Sequence, residues 1–225
     1  MKHTEKELEL LKGNLREMWL LVASQLSKSA DAFINHKIEA ANEVIHKEKR
    51  VDAFELKIDA DCENFIALYA PVAIDLRLVL SIIKISSTLE RIGDFAYSIA
   101  HHTVDGIRKK INDALLKEIQ IKKMFEQVIE MLDSCYRAFD SEDVSLWGKI
   151  ISQDDEIDKI YHNSPVILEK YIQQHPDLTG EALRLMVIMR KLERIGDHCS
   201  NIIEELVFYV DAKVLKHSVK KLEKS

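Results

Sequence analysis

Hydrophobic positions along this chain recur every three or four residues over long stretches, the signature of amphipathic helices that bury one stripe. Thr4-Glu5-Lys6-Glu7 reads as a capping box that opens a first helix running to about Asn35. A second helix is predicted from about Ile38 to Tyr69, with Val51, Phe54, Ile58, Cys62, Phe65 and Tyr69 on its apolar stripe. Pro71 suits the first turn of a third helix, where its missing N–H costs nothing. That helix carries Leu78, Ile82, Ile85, Leu89, Ile92, Ala96 and Ile99, an unbroken four-three seam of the kind that packs helix on helix. Asp105-Gly106 marks a break.

The same plan then repeats. Helices are predicted from about Asn112 to Phe139 and from about Glu142 to Gln174, the latter kinked at Pro165. Pro176-Asp177-Leu178-Thr179-Gly180 turns the chain into a last helix with Leu185, Ile188, Leu192, Ile195, Cys199 and Ile202 on its seam. The six residues Leu89-Glu90-Arg91-Ile92-Gly93-Asp94 recur unchanged 103 positions later as Leu192-Glu193-Arg194-Ile195-Gly196-Asp197. An identical segment at a fixed offset marks an internal duplication. The expected fold is therefore all-α, two tandem three-helix bundles over 1–107 and 108–213, followed by a Lys-rich tail over 214–225.

Composition narrows the picture. Only six Gly and three Pro, with 47% apolar and 31% charged residues, suit long helices joined by short turns. No apolar run reaches the roughly 20 residues of a membrane span, and the opening Met1-Lys2-His3-Thr4-Glu5 is not a signal peptide. Cys62, Cys135 and Cys199 have no metal-ligand spacing, which suggests reduced thiols in a cytoplasmic protein. The net charge of −6 argues against a nucleic-acid partner.

The candidate chemistry is acidic. Glu90 and Asp94 are four apart and lie off the buried seam, so they share an outward face. Glu48 and Asp52 are also four apart, and a hairpin turning at Ala70-Pro71 sets Asp52 level with Glu90 and Glu48 level with Asp94. The second half repeats this with Asp154, Asp158, Glu193 and Asp197 around the turn at His175-Pro176. Such quartets repel unless protons, arginines or cations intervene, and all-oxygen ligation suits hard cations. Neutralisation by Lys49, Arg50, Arg91 and Arg194 is the bland alternative. Gly93 and Gly196 stand mid-helix beside the acidic pairs, where something needs close approach, a metal cluster or a neighbouring helix. Glu43-Val44-Ile45-His46 is a lone ExxH element, and His101, His102 and His198 read as polar surface residues. No phosphate-cradling Gly loop, nucleophile elbow or paired CxxC is present, so catalytic residues have no candidate.

On Ala70-Pro71-Val72-Ala73-Ile74-Asp75-Leu76-Arg77, the doubled LERIGD and the acidic heads at 48–52 and 154–158, the chain resembles the PhoU family, accessory regulators of bacterial phosphate-specific ABC transport. The resemblance spans roughly residues 8–212. It implies two three-helix bundles with multinuclear iron, zinc, magnesium or manganese sites on their surfaces. It also implies a cytoplasmic protein, often a homodimer, that restrains phosphate uptake and phosphate-starvation signalling. Its implied partners are the transporter ATPase and a membrane sensor histidine kinase. Asp155 stands where the family motif usually has Lys, which makes the second centre more acidic. The rival function is a metal-dependent phosphatase or ferroxidase built on the same carboxylates.

Overall fold

The computed structural model describes residues 2–106 and 112–212, and every regular element in that range is helical. The expected bundle boundary at 107/108 and the tail over 214–225 lie outside the described residues. In order, the helices are α1 (Lys2–Asn35), α2 (Ile38–Tyr69), α3 (Ala73–Gly106), α4 (Asp113–Glu118), α5 (Ile121–Ser141), α6 (Trp147–Gln174) and α7 (Thr179–Asp211), with a 3₁₀ turn at Pro176–Leu178.

Helices α1, α2 and α3 pack on one another as the first three-helix bundle, and α5, α6 and α7 form the second. Every residue of the two predicted seams is buried, from Leu78 through Ile99 and from Leu185 through Ile202. The bundles share one apolar core. Helix α3 runs antiparallel beside α7, since Arg77 Nε donates to the Tyr209 carbonyl at 3.2 Å while Phe95 stacks on His198. Helix α1 meets α5, where Trp19 stacks on Phe139 and Phe33 tilts against Phe125. The result is one layer in the order α2, α3, α7, α6, backed by α1 and α5.

Local chemistry moves several predicted boundaries. Helix α1 already begins at Lys2, so Thr4 to Glu7 lie inside its first turns instead of capping it. Pro71 stops α2 and does not start α3. Ala70 closes α2 in the left-handed region (φ 43°), donating its N–H to the Ile66 carbonyl at 3.1 Å, and α3 begins only at Ala73. The helix predicted over 112–139 is broken at Gln120, which takes φ 53°. Ile119 and Ile121 are both buried, and in one continuous helix they would point about 200° apart. The break lets both face the core. Helix α6 starts at Trp147, later than expected, because the Asp143 carboxylate accepts the Ser145 N–H in a tight turn.

Helix α6 runs on through Pro165. Proline cannot donate to the Tyr161 carbonyl, but the Ser164 hydroxyl does, at 2.7 Å. Ser164→Ala should therefore lower stability by about 1 kcal/mol by leaving that carbonyl unpaired. Urea unfolding followed by circular dichroism measures the loss, and an unchanged midpoint would show that the hydroxyl is dispensable.

Candidate metal centres

The layered fold decides where the acidic residues go. Helix α1 meets α2 through Glu43, Lys57 and Asp61, paired with Lys28 and Asn14. Those positions lie about half a turn round α2 from Glu48 and Asp52. The carboxylates thus face away from α1, on the outer side of the α2–α3 hairpin.

Three residues of the first quartet, one pair from α2 and one residue from α3, converge. One carboxylate oxygen from each of Glu48, Asp52 and Asp94 lies within 4.8 Å of the other two. Glu90 lies outside that triplet but is coupled to it: burial, followed by repulsion from Asp94, Glu55 and Asp52, pushes its carboxyl up to about 7. Burial and Asp52 raise Asp94 as well. Among the described residues no basic group lies within 4.0 Å of any of the four, so Lys49, Arg50 and Arg91 do not neutralise them as ion pairs.

The second quartet is coupled but more closed. Asp154 is pushed up to about 7 by burial and by repulsion from Asp197, Asp158 and Asp155, against a stabilising Ser200 hydroxyl that donates to Oδ2 at 2.7 Å. Burial, Asp197 and Asp158 raise Glu193. Arg194 stands 3.6 Å from Asp197 and 3.9 Å from Glu193, so the arginine alternative holds in part here. No triplet of oxygens as tight as the first occurs in this quartet among the described residues.

The duplicated glycines act differently in the two halves. A Cβ at Gly196 would lie 2.6 Å from Asp154 Oδ1, so the missing side chain is what admits that carboxylate against α7. A Cβ at Gly93 would meet Val51 at 3.3 Å and the Gln25 amide oxygen at 3.4 Å, which is close helix packing. Asp154 Oδ1 is buried without a hydrogen-bond partner, a state that a proton or a cation would relieve. The oxygen-only donors and the orphaned oxygen fit hard metal ions.

Sequence reasoning missed Glu55, Ser200 and Gln25. Glu55 continues the Glu48–Asp52 stripe and was legible by spacing; Ser200 and Gln25 carry no signal of their own. The remaining candidates settle as surface groups. His46 contacts the Asn42 carbonyl at 2.6 Å, Glu43 pairs with Lys28, and exposed His101 rests against Tyr97. His198 is half-buried on Phe95, and all three cysteines are buried free thiols.

In the metal-free protein Glu90 and Asp154 keep protons to about pH 7, whereas unfolded carboxylates lose theirs near pH 4. Their folded pKa values are raised, so their contribution favours folding at low pH and is lost as pH climbs through 7. After allowance for solvent screening, stability with chelator present should fall by about 1–2 kcal/mol between pH 5 and pH 8. Urea midpoints at the two pH values test this; equal midpoints would mean that the carboxylates are not crowded.

The family description "PhoU domain" matches residues 15–103 and 121–206, one copy on each bundle. The chain belongs to the PhoU family. PhoU relatives cover nearly its whole length. The phosphate-specific transport system accessory protein PhoU homolog 1 of Thermotoga maritima is 31% identical over 221 residues, covering 98% of this chain and 94% of that protein. The phosphate-specific transport system accessory protein PhoU of Escherichia coli K12 is 31% identical over 211 residues, covering 94% of this chain and 86% of its own. The crystal structure of PhoU from Pseudomonas aeruginosa superposes with a TM-score of 0.84 at 29% identity, covering 93% of this chain and 99% of that one. PhoU from Streptococcus pneumoniae, titled a phosphate transport system regulatory protein, gives 0.81 at 26% identity, covering 94% and 98%. Among the described residues no helix is long and apolar enough to cross a membrane.

Proposed function

We propose that this chain is a cytoplasmic, metal-binding adaptor of phosphate transport that restrains phosphate uptake and phosphate-starvation signalling. The observation that carries the metal reading is the convergence of Glu48, Asp52 and Asp94, with oxygens within 4.8 Å and no basic nitrogen within 4.0 Å of them among the described residues. Glu90 completes that centre, and Asp154, Asp158, Glu193 and Asp197 would hold the second. Bound there, an iron, zinc, magnesium or manganese ion supplies outward positive charge with room for a partner's carboxylate. The chain's own residues orient and neutralise. Gly196 makes room for Asp154, and Ser200 fixes its second oxygen.

The relatives are named as accessory and regulatory proteins of phosphate transport, which supports the adaptor reading over the phosphatase or ferroxidase one. Its partners are then the ATPase of a phosphate ABC transporter and a membrane sensor histidine kinase, met by a homodimer that reaches the membrane only through them. Binding of the purified protein to that ATPase, measured with and without chelator, tests the proposal. Chelator-sensitive binding without phosphate-ester hydrolysis or Fe²⁺ oxidation is expected. Turnover dependent on the carboxylates would overturn it in favour of an enzyme.

A further inference from the structure

Toward the turn of the α6–α7 hairpin, the groove between the two helices becomes apolar. It opens there into a cavity of about 300 Å³ lined by Pro165, Leu168, Ile172, Ala182, Leu183 and Met186. Ser164 Oγ lies 3.4 Å from Met186 Sδ, which fixes the level at which the helices meet. One turn from that level, in the direction of the second acidic centre, stand Tyr161 on α6 and Arg190 on α7. Leu183 is 59% exposed and Val187 41%. The first hairpin is built otherwise. Counted from Asp52 and Glu90, it has Glu55, Asp59, Lys84 and Ser87 where the second, counted from Asp158 and Glu193, has Tyr161, Pro165, Val187 and Arg190. The second copy has exchanged charged and small polar groups for apolar surface and one arginine.

We propose that this groove is a docking surface for an acidic segment of a partner protein, which seats a bulky apolar side chain in the cavity and sets an Asp or Glu carboxylate on Arg190. Size supports the apolar half. The cavity has room for one Leu, Met or Phe side chain, and the flexible Met186 on its wall adapts to any of them. A seated anchor of that kind supplies most of the affinity of such contacts. Charge decides the rest. Arg184 and Arg190 are exposed on α7 with Leu183 and Val187, and neither makes a hydrogen bond or ion pair among the described residues. Glu193 feels the charge of Arg190, yet no oxygen of Glu193 comes within 4.0 Å of it. In a chain of net charge −6, two unpaired cations around an apolar hollow favour an acidic partner over a basic one. Glu169, on the opposite lip, repels that acid toward α7. The guanidinium fork of Arg190 suits a carboxylate bonded through both oxygens. It stands one to two turns from Met186 and Leu183, about 6–10 Å along α7, which sets the spacing of the partner's two groups.

The surface uses none of the eight carboxylates, so it stands or falls separately from the metal centres. Panning a displayed library of random peptides against the full chain, with chelator present throughout, tests it. Enriched peptides should combine a bulky apolar residue with Asp or Glu. A synthetic peptide of the most enriched sequence should shift the Met186 signal in a spectrum of isotope-labelled methionine methyl groups. Leu183→Ser and Arg190→Gln, both at exposed positions, should each weaken that peptide by about tenfold or more at unchanged helicity. Arg190→Glu should restore binding to the peptide whose acidic residue is replaced by Lys. No enrichment, enrichment of basic peptides, or a peptide indifferent to both substitutions would overturn the proposal. Dimerisation that Leu183→Ser abolishes, with no peptide bound, would overturn it in favour of a second copy of the chain.

Discussion

Asp94→Ala combined with Asp197→Ala should empty both acidic centres of metal while leaving the helices in place. Asp94 is one of the three residues whose oxygens converge within 4.8 Å, and Asp197 is its duplicate and repels Asp154 and Glu193. Losing a direct ligand should cost at least the roughly hundredfold in affinity that loss of a supporting group can cost. The metal-free protein should respond in the opposite direction. Each substitution removes a repelling charge and installs a better helix former, so stability in chelator should rise by about 0.5–1 kcal/mol. Wild-type protein gains stability from added metal by mass action, and the double variant should not. Thermal unfolding with and without Mn²⁺ reads both effects. A double variant that retains the full metal-dependent rise in Tm would place the ions elsewhere.

Gly196→Ala carries the second large effect, and its sign is diagnostic. In an open helix interior, alanine in place of glycine stabilises by about 1 kcal/mol. Here the new methyl group would stand 2.6 Å from Asp154 Oδ1, so the buried carboxylate must shift, which disturbs its 2.7 Å bond from Ser200. The expected outcome is a net loss of about 1–3 kcal/mol, as for other overpacked sites. Because Asp154 leaves its buried position, the fall in stability between pH 5 and pH 8 should also shrink. Gly93→Ala is the control. Its nearest neighbours stand at 3.3 and 3.4 Å, and the Gln25 amide can move aside, so it should be near neutral. Equal effects at the two glycines would mean that Asp154 does not occupy the space at Gly196.

What the sequence made legible follows from what its periodicity encodes. The seams of α3 and α7 carry strong three-four spacing and a repeated hexapeptide, so helix type, burial and pairing could be read directly. The approach of Glu48, Asp52 and Asp94 followed from one hairpin turn and helical rise alone. The break at Gln120 was not legible, because no glycine or proline marks it and its cause is the burial of both Ile119 and Ile121. Pro71 misled for a related reason: a proline near a helix boundary signals a stop and a start equally well. At the second centre, counting carboxylates did not reveal that Asp154 turns inward under Gly196 while Arg194 leans on its partners. Side-chain direction between packed helices is set by neighbours distant in sequence, and spacing along one helix does not carry it.

The whole functional reading depends on hard cations resting on the outer faces of these two hairpins. Anomalous scattering from crystals of the Mn²⁺-loaded protein, collected at the manganese edge, tests that directly. Peaks among Glu48, Asp52, Glu90 and Asp94, and among Asp154, Asp158, Glu193 and Asp197, are the predicted result. Manganese found only away from these carboxylates, or nowhere on the chain, would contradict it.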